Sequence, residues 1–135
     1  MRVNLAIRSI STTVDGGTVS AEEIVRAEMA AWSRNDVDEV MSHFADDLTL
    51  YVGPYPPISG RDAIRKTMEA YFSRGTCVDL KILYLAVDND VVLMERDDHW
   101  IVNGKDRHWP VMGAYEVKDR KITAWREYFT PIDTS

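Results

Sequence analysis

Five consecutive ionisable residues, Glu95-Arg96-Asp97-Asp98-His99, interrupt an otherwise apolar run, with Val91-Val92-Leu93-Met94 before them and Trp100-Ile101-Val102 after. In an extended chain alternate side chains share a face, which groups Arg96 with Asp98 and Trp100, and Glu95 with Asp97 and His99. A buried Asp needs a partner, and an Arg two residues away on the same face is placed to be one. A second interruption follows at Trp125-Arg126-Glu127-Tyr128-Phe129, where Glu127 lies between two large rings on one face. Asp98 and Glu127 with Arg96 between them can hold separated pKa values, one carboxyl keeping its proton as an acid and the other ionised as a base. Alternation does not say which face is concave. On the other choice Arg96 and Asp98 belong to a ladder of ion pairs on a solvated face, Glu127 meets water, and Arg126 and Tyr128 point inward.

The elements that must carry these faces follow from the hydrophobic period. Ser20-Ala21-Glu22-Glu23 is a capping box ahead of Val25, Met29 and Trp32 at helical spacing, with Ile24, Ala27 and Ala31 widening the stripe. Asn35-Asp36 ends that helix, and Asp36 with Glu39 starts a second one carrying Val40, Met41 and Phe44. A short strand, Leu48 to Val52, leads into Gly53-Pro54-Tyr55-Pro56-Pro57, whose prolines exclude a central strand. Tyr55 is expected at the mouth of whatever cavity the fold encloses. A third helix runs from about Asp62 to Ser73, closed by Gly75. Beyond it the period turns strand-like over Val78–Val87, Val91–Val102, a strand ending near Val117, and Ile122–Phe129, with turns at Asp88-Asn89-Asp90, Asn103-Gly104 and 118–121. This order predicts an α+β fold, a curved antiparallel sheet wrapped over three N-terminal helices as a cone able to hold a ligand. Residues 1–19 read as an N-terminal arm or edge strand, and 20–135 as a single domain.

The 135 residues carry 16 Lys+Arg against 22 Asp+Glu, a net charge of −6, and make enough chain for one core but not two. With 45% hydrophobic residues the chain is too apolar for disorder. Its acidic balance disfavours nucleic acid and other polyanions as partners. No apolar run approaches the roughly 18–20 residues of a membrane helix, and Val3 to Ile10, broken by Asn4 and Arg8, lacks a small-residue cleavage site. No membrane contact is therefore expected, and the cytoplasm is the default location. Cys77 stands alone, which excludes an internal disulfide and a thiolate cluster, and reads as a strand residue. His43 reads as a partner for a helix C-terminus, and His99 and His108 as facing away from the site. No metal-ligand spacing exists, so no metal or cofactor is expected. Large rings are plentiful, with four Trp and six Tyr. Trp32, Tyr71, Phe72, Trp100, Trp109, Trp125 and Phe129 are expected as core and cavity wall, with Tyr51 and Val111 as further wall candidates.

Four pieces of the chain then stand out together: Phe44-Ala45-Asp46-Asp47; Pro56-Pro57 followed by Gly60-Arg61-Asp62-Ala63; Glu95-Arg96-Asp97-Asp98; and Gly113-Ala114-Tyr115 leading to Lys121-Ile122-Thr123-Ala124-Trp125-Arg126-Glu127-Tyr128-Phe129. From Glu22 to Phe129 the chain resembles the limonene-1,2-epoxide hydrolase family, within the broader nuclear-transport-factor-2-like cone fold. The resemblance implies that Arg96, Asp98 and Glu127 face into the cone. It also implies their roles: Asp98 gives a proton to an epoxide oxygen, Glu127 takes one from water, and Arg96 bridges both. An epoxide opens readily only when its oxygen is protonated as the nucleophile arrives.

The sequence departs from the family at two places. The family's second Asp is Glu127 here, and the extra methylene moves the carboxylate by about an ångström, an offset that can cost about a hundredfold. The family's water-holding Tyr and Asn fall on Leu50 and Val52, neither able to bond water through its side chain. Tyr51, one residue off, faces the other way unless a bulge near Gly53 re-aims it. Opening of an epoxide on a small apolar or cyclic substrate is the first expectation. An isomerase or cyclase of the same fold, acting on a polyketide- or steroid-like substrate, is the second, because paired acid and base without a water clamp suit proton relocation. A non-catalytic binder of apolar ligands is the third. The long strands also leave an outer sheet face, with Ile82, Tyr84, Val111, Tyr115 and Tyr128 among its contributors, on which a homodimer is expected.

Overall fold

A computed structural model describes residues 19–131. Apart from Val19, the arm expected over residues 1–19 lies outside the described residues. The first helix, α1 (Ala21–Trp32), starts where the capping box places it: Ser20 Oγ accepts from the Glu23 amide at 3.1 Å and donates to the Glu23 carboxylate at 3.3 Å. Its buried face is Ile24, Val25, Glu28, Met29, Ala31 and Trp32. Asp36 caps α2 (Val37–Ser42) by accepting from the Glu39 amide at 3.2 Å. Phe44, expected on that helix, opens strand β1 (Phe44–Val52) instead. The reason is tertiary: Ile122 N donates to His43 O at 2.8 Å and Phe44 pairs with Ile122, so the last strand captures the chain as it leaves the helix.

A two-residue strand, β2 (Ile58–Ser59), pairs back on β1 before α3 (Arg61–Arg74). Gly75 does not close α3 as a left-handed cap; its backbone is extended and begins β3 (Gly75–Asp88). A Cβ there would lie 2.8 Å from the Ile101 carbonyl oxygen, so glycine is required by close approach to the neighbouring strand. Strands β4 (Val91–Val102), β5 (Lys105–Lys118) and β6 (Lys121–Tyr128) complete a six-stranded sheet of order β2-β1-β6-β5-β4-β3. The meander β3 to β6 is antiparallel, joined by two-residue turns in which Asn89, Asn103, Gly104, Asp119 and Arg120 all take positive φ. The sheet is not antiparallel throughout, because β1 joins β6 in parallel.

Register shifts in β3, between Cys77 and Asp79 and between Ile82 and Tyr84, bend this edge strand. The sheet curves over the helices, and its concave side packs Leu48, Leu50, Val92, Met94, Tyr115, Ile122 and Trp125 against Val25, Met29 and Trp32 of α1 and Ile64 and Met68 of α3. One contact fixes the end of α1 to the sheet edge. Asn35, at φ 54, accepts from the Cys77 amide at 2.9 Å and donates to the Cys77 carbonyl at 3.0 Å. Asn35→Ala loses both bonds and puts at φ 54 a residue without asparagine's tolerance of the left-handed region, a loss of about 2–3 kcal/mol. Asn35→Gly loses only the bonds and costs about half as much. Urea unfolding of the two variants checks the ordering; equal losses would leave the backbone conformation without a contribution.

Candidate active site

Strand β4 turns Arg96, Asp98 and Trp100 inward and buries them, while Glu95, Asp97 and His99 lie on the other side. On β6, Trp125 and Glu127 are buried on the same concave face. Register brings these strands together through β5: Arg96 pairs with Val111, Asp98 with Trp109, and Glu127 with Gly113. Gly113 leaves a slot for its same-face neighbour. A Cβ on it would lie 2.0 Å from the Tyr115 hydroxyl oxygen, so the phenol fills the space a side chain would take and reaches Glu127.

The result is a closed set of bonds around one cation. Arg96 Nε donates to Asp98 Oδ1 and Nη2 to Asp98 Oδ2, both at 2.8 Å, in a bidentate pair. Nη2 also lies 2.7 Å from Glu127 Oε2, and Nη1 donates to the Tyr115 hydroxyl. That hydroxyl donates in turn to Glu127 Oε2 at 2.6 Å. Glu127 Oε1 takes part in none of these contacts. Burial opposes the guanidinium's charge, yet Glu127, Tyr115 and Asp98 outweigh it and hold the Arg96 pKa well above its ordinary value. Burial raises the Asp98 pKa, against the opposing pull of Arg96. It also raises that of Tyr115, with the Glu127 charge adding to the effect, so the phenol keeps its proton.

Above this floor opens a cavity of about 440 Å³, within the range of small-molecule sites. Trp32, Tyr71, Trp100, Trp109, Val111, Trp125 and Phe129 line it beside Arg96, Asp98 and Glu127. Tyr55 lines it too, half exposed and against the Phe129 ring. Two expected wall residues lie elsewhere. Tyr51 is 47% exposed on the outer face beside Arg126, since Gly53 introduces no bulge that re-aims it. Phe72 sits behind the wall, stacked on Trp100 at 5.6 Å. Three residues expected on the outer face point inward: Val111 lines the cavity, Tyr115 is fully buried, and Ile82 packs against the core because the bulge after it shifts the phase of β3. Tyr84 and Tyr128 are outer and exposed.

The remaining candidates are also placed. His43 ends α2, but the Lys121 ammonium takes the Ser42 carbonyl there, and burial together with Lys121 lowers the His43 pKa. Lys121, not His43, is the cation at that helix end. His99 and His108 stack on the outer face with ring centroids 4.1 Å apart, bonded to Asp106 and Asp97. Burial pushes the Cys77 thiol up to about 12, leaving it unreactive. Among the described residues no group of three His, Cys, Asp or Glu side chains is arranged to hold a metal, and no helix is long and apolar enough to cross a membrane.

A family model described as the limonene-1,2-epoxide hydrolase catalytic domain matches residues 19–134. The chain belongs to that family. Epoxide hydrolase EphG of Mycobacterium tuberculosis is 30% identical to this limonene-1,2-epoxide hydrolase family member over 109 residues, covering 81% of this chain and 72% of that protein. The solved structure of an M. tuberculosis LEH-like epoxide hydrolase superposes with a TM-score of 0.74 at 30% identity, over 82% of each chain. A putative SnoaL-like polyketide cyclase from Shewanella denitrificans superposes with a TM-score of 0.73 over 82% of this chain and 90% of that one; at 12% identity the two share the fold alone. That fold is the nuclear-transport-factor-2-like cone.

In this member of the limonene-1,2-epoxide hydrolase family, Leu50 and Val52 are buried and on the inner side of β1, and Val52 lines the cavity. The positions that resemblance assigns to water holding are therefore apolar and inward. Tyr115, Glu28 and Arg74 are the polar residues that sequence reasoning missed. Tyr115 shares the alternation of Val111 and Gly113, which was the available signal. Glu28 had none: it lies on the apolar stripe of α1, fully buried, with Oε2 accepting from Trp32 Nε1 at 3.0 Å and Oε1 unbonded. Burial raises its pKa well above the carboxylate range.

Folded Glu28 keeps a proton that the unfolded chain releases above about pH 4.3, so wild-type stability falls as pH rises from there. Glu28→Gln removes this slope and gains on wild type by up to about 1.4 kcal/mol per pH unit. Urea unfolding between about pH 5 and pH 8 checks it; a difference independent of pH would mean the buried carboxyl is ionised.

Proposed function

We propose that this protein is a cofactor-independent epoxide hydrolase acting on a small apolar or cyclic substrate, with Asp98 as acid, Glu127 as base and Arg96 as the bridge. One observation carries the reading: a single buried guanidinium holds both carboxylates on the floor of an aromatic cavity. Protonated Asp98 gives its proton to the epoxide oxygen as water attacks a ring carbon, and Glu127 Oε1, the oxygen outside the network, takes the proton from that water. A neutral diol leaves. Before the step the site holds Asp98 neutral and Glu127 charged; after it, Asp98 charged and Glu127 neutral. Arg96 faces one negative charge in both states, so proton relocation leaves the local charge balance unchanged.

Leu50 and Val52 favour a second reading. With no side chain there to orient water, the same acid and base suit an isomerase or cyclase, in which a nucleophile within the substrate opens the ring. Incubation with a panel of epoxides in oxygen-18 water separates the two: labelled diol is expected, and unlabelled cyclised product would replace hydrolysis by cyclisation. Glu127→Gln keeps the cavity and should lower turnover at least about a hundredfold with ligand affinity nearly unchanged; retained turnover would remove Glu127 as base.

The protein acts, on this reading, as a homodimer through its outer sheet face. Tyr84, Met112 and Tyr128 fall on one cross-strand row with Glu95, and Leu93 and Tyr51 on the next, all exposed apart from half-buried Glu95. Light scattering at micromolar concentration should give twice the 15.4 kDa chain mass; a species of single-chain mass would exclude the dimer.

A further inference from the structure

On β5 the inward residues Val111, Gly113 and Tyr115 come at every second position, and Tyr115 stands directly opposite Trp125 of β6. The two rings meet edge to face, with centroids 4.8 Å apart and an angle of 72° between their planes. The phenol leans along its own strand into the space that a side chain at Gly113 would take. Gly113 in turn pairs with Glu127, so the hydroxyl arrives beside the carboxylate of the next strand and donates to Oε2 at 2.6 Å. The same hydroxyl accepts from Arg96 Nη1. Any acceptor would serve that guanidinium nitrogen. The donated bond is the informative one, because it goes to the residue proposed as base.

A glutamate carries one more staggered torsion than an aspartate, and that torsion has three settings. Arg96 alone chooses poorly among them. It meets Glu127 through Nη2 only, at Oε2, and the same nitrogen is shared with Asp98. Tyr115 adds a second contact to that oxygen from a different strand, so the carboxylate cannot exchange its two oxygens without breaking both. Oε1 bonds to no described residue, yet it is not sealed in as Glu28 Oε1 is, and Glu127 lines the cavity. Oε1 therefore opens on the cavity. Leu50 and Val52 offer no side chain to hold water, so the direction of Oε1 decides where an attacking water can be met.

We propose that Tyr115 is the positioning residue that lets a glutamate serve as the base. Its hydroxyl holds Oε2 so that Oε1 faces the cavity, and glycine at 113 admits it. A phenylalanine at 115 would fill the same volume without the bond. The role of Glu127 as base rests on the function proposed above; the hold of Tyr115 on its carboxylate does not.

Tyr115→Phe keeps the ring and loses the hydroxyl, whereas Glu127→Asp draws the carboxylate back from the phenol. With cyclohexene oxide as the probe, Tyr115→Phe should lower kcat at least about tenfold and leave KM within about twofold, a split that a loosened core does not produce. Glu127→Asp should lose at least as much, although the resemblance puts aspartate there. Adding Tyr115→Phe to it should cost little more, because both act through one contact. Crystals of the unliganded variants give a second readout that needs no turnover. In each variant the carboxylate should leave its wild-type place or take more than one orientation. Full kcat in either variant, additive losses, or a single unchanged orientation overturns the proposal, and Glu127→Asp decides alone should Tyr115→Phe fail to fold. No turnover by wild type would discard hydrolysis and leave the crystals to decide the positioning. Labelled diol from wild type with an unmoved carboxylate in the variants would keep hydrolysis and discard the positioning.

Discussion

The Arg96 guanidinium is 1% exposed, and a cation so far from water is tolerated only where its donors are met and its charge is balanced. Asp98, Glu127 and Tyr115 meet that demand from three strands, β4, β6 and β5. Each partner also depends on the others. Tyr115 reaches Glu127 only because Gly113 leaves the slot, and Glu127 sits opposite Gly113 only because the irregularity between Glu116 and Val117 shifts by one residue the register that the two-residue turn at Asp119-Arg120 starts. Removing one partner would leave a buried charge short of a ligand, a loss of several kcal/mol. The catalytic candidates are thus also a structural cross-brace of the meander.

Much of this was legible in the sequence because local rules governed it. The helix caps at Ser20 and Asp36, the Asn103-Gly104 turn and the alternation through 91–102 each depend on near neighbours, and each holds. Where the reading failed, a non-local cause was at work. In β5 the inward Val111 and Tyr115 alternate with outward Met112 and Ala114, so both faces are apolar and hydropathy cannot tell them apart. In β3 two bulges change the phase, and Ile82 turns inward although straight alternation allows either side. Phe44 obeys a strand that lies far along the chain rather than the helix just before it.

The site itself was half legible. Five charged residues within an apolar strand announce a constraint, and Arg96 with Asp98 follows from spacing alone. Grouping Glu127 with them was one of two readings that the residues left open, and the resemblance chose between them; β4 and β6 are not neighbours in the sheet, so no pairing rule could do so. Tyr115 escaped because a tyrosine in a strand is unremarkable by composition; only the two-residue step from Gly113 marks it. Its presence changes the surroundings of the proposed base. One oxygen of Glu127 is committed to Arg96 and Tyr115, which orients the carboxylate and leaves Oε1 as the oxygen free to accept a proton.

The parallel pair of β1 with β6 sets the order in which the molecule can assemble. Leu50 faces Trp125 and Val52 faces Glu127, each 75 positions further along the chain. The helices and the hairpins of β3 to β5 close short loops, whereas this pair closes the longest loop in the sheet and must wait for the last strand. Gly53 N then ties to Glu127 O at 2.8 Å, so the end of β1 is secured by the very residue that completes the floor. A nascent chain therefore forms the helical and β3 to β5 parts of its cavity wall first, and adds Trp125, Phe129 and the second carboxylate last. Until β6 docks, Arg96 lacks one of its two carboxylate partners, and β1 has only β2 and the helices to lie against.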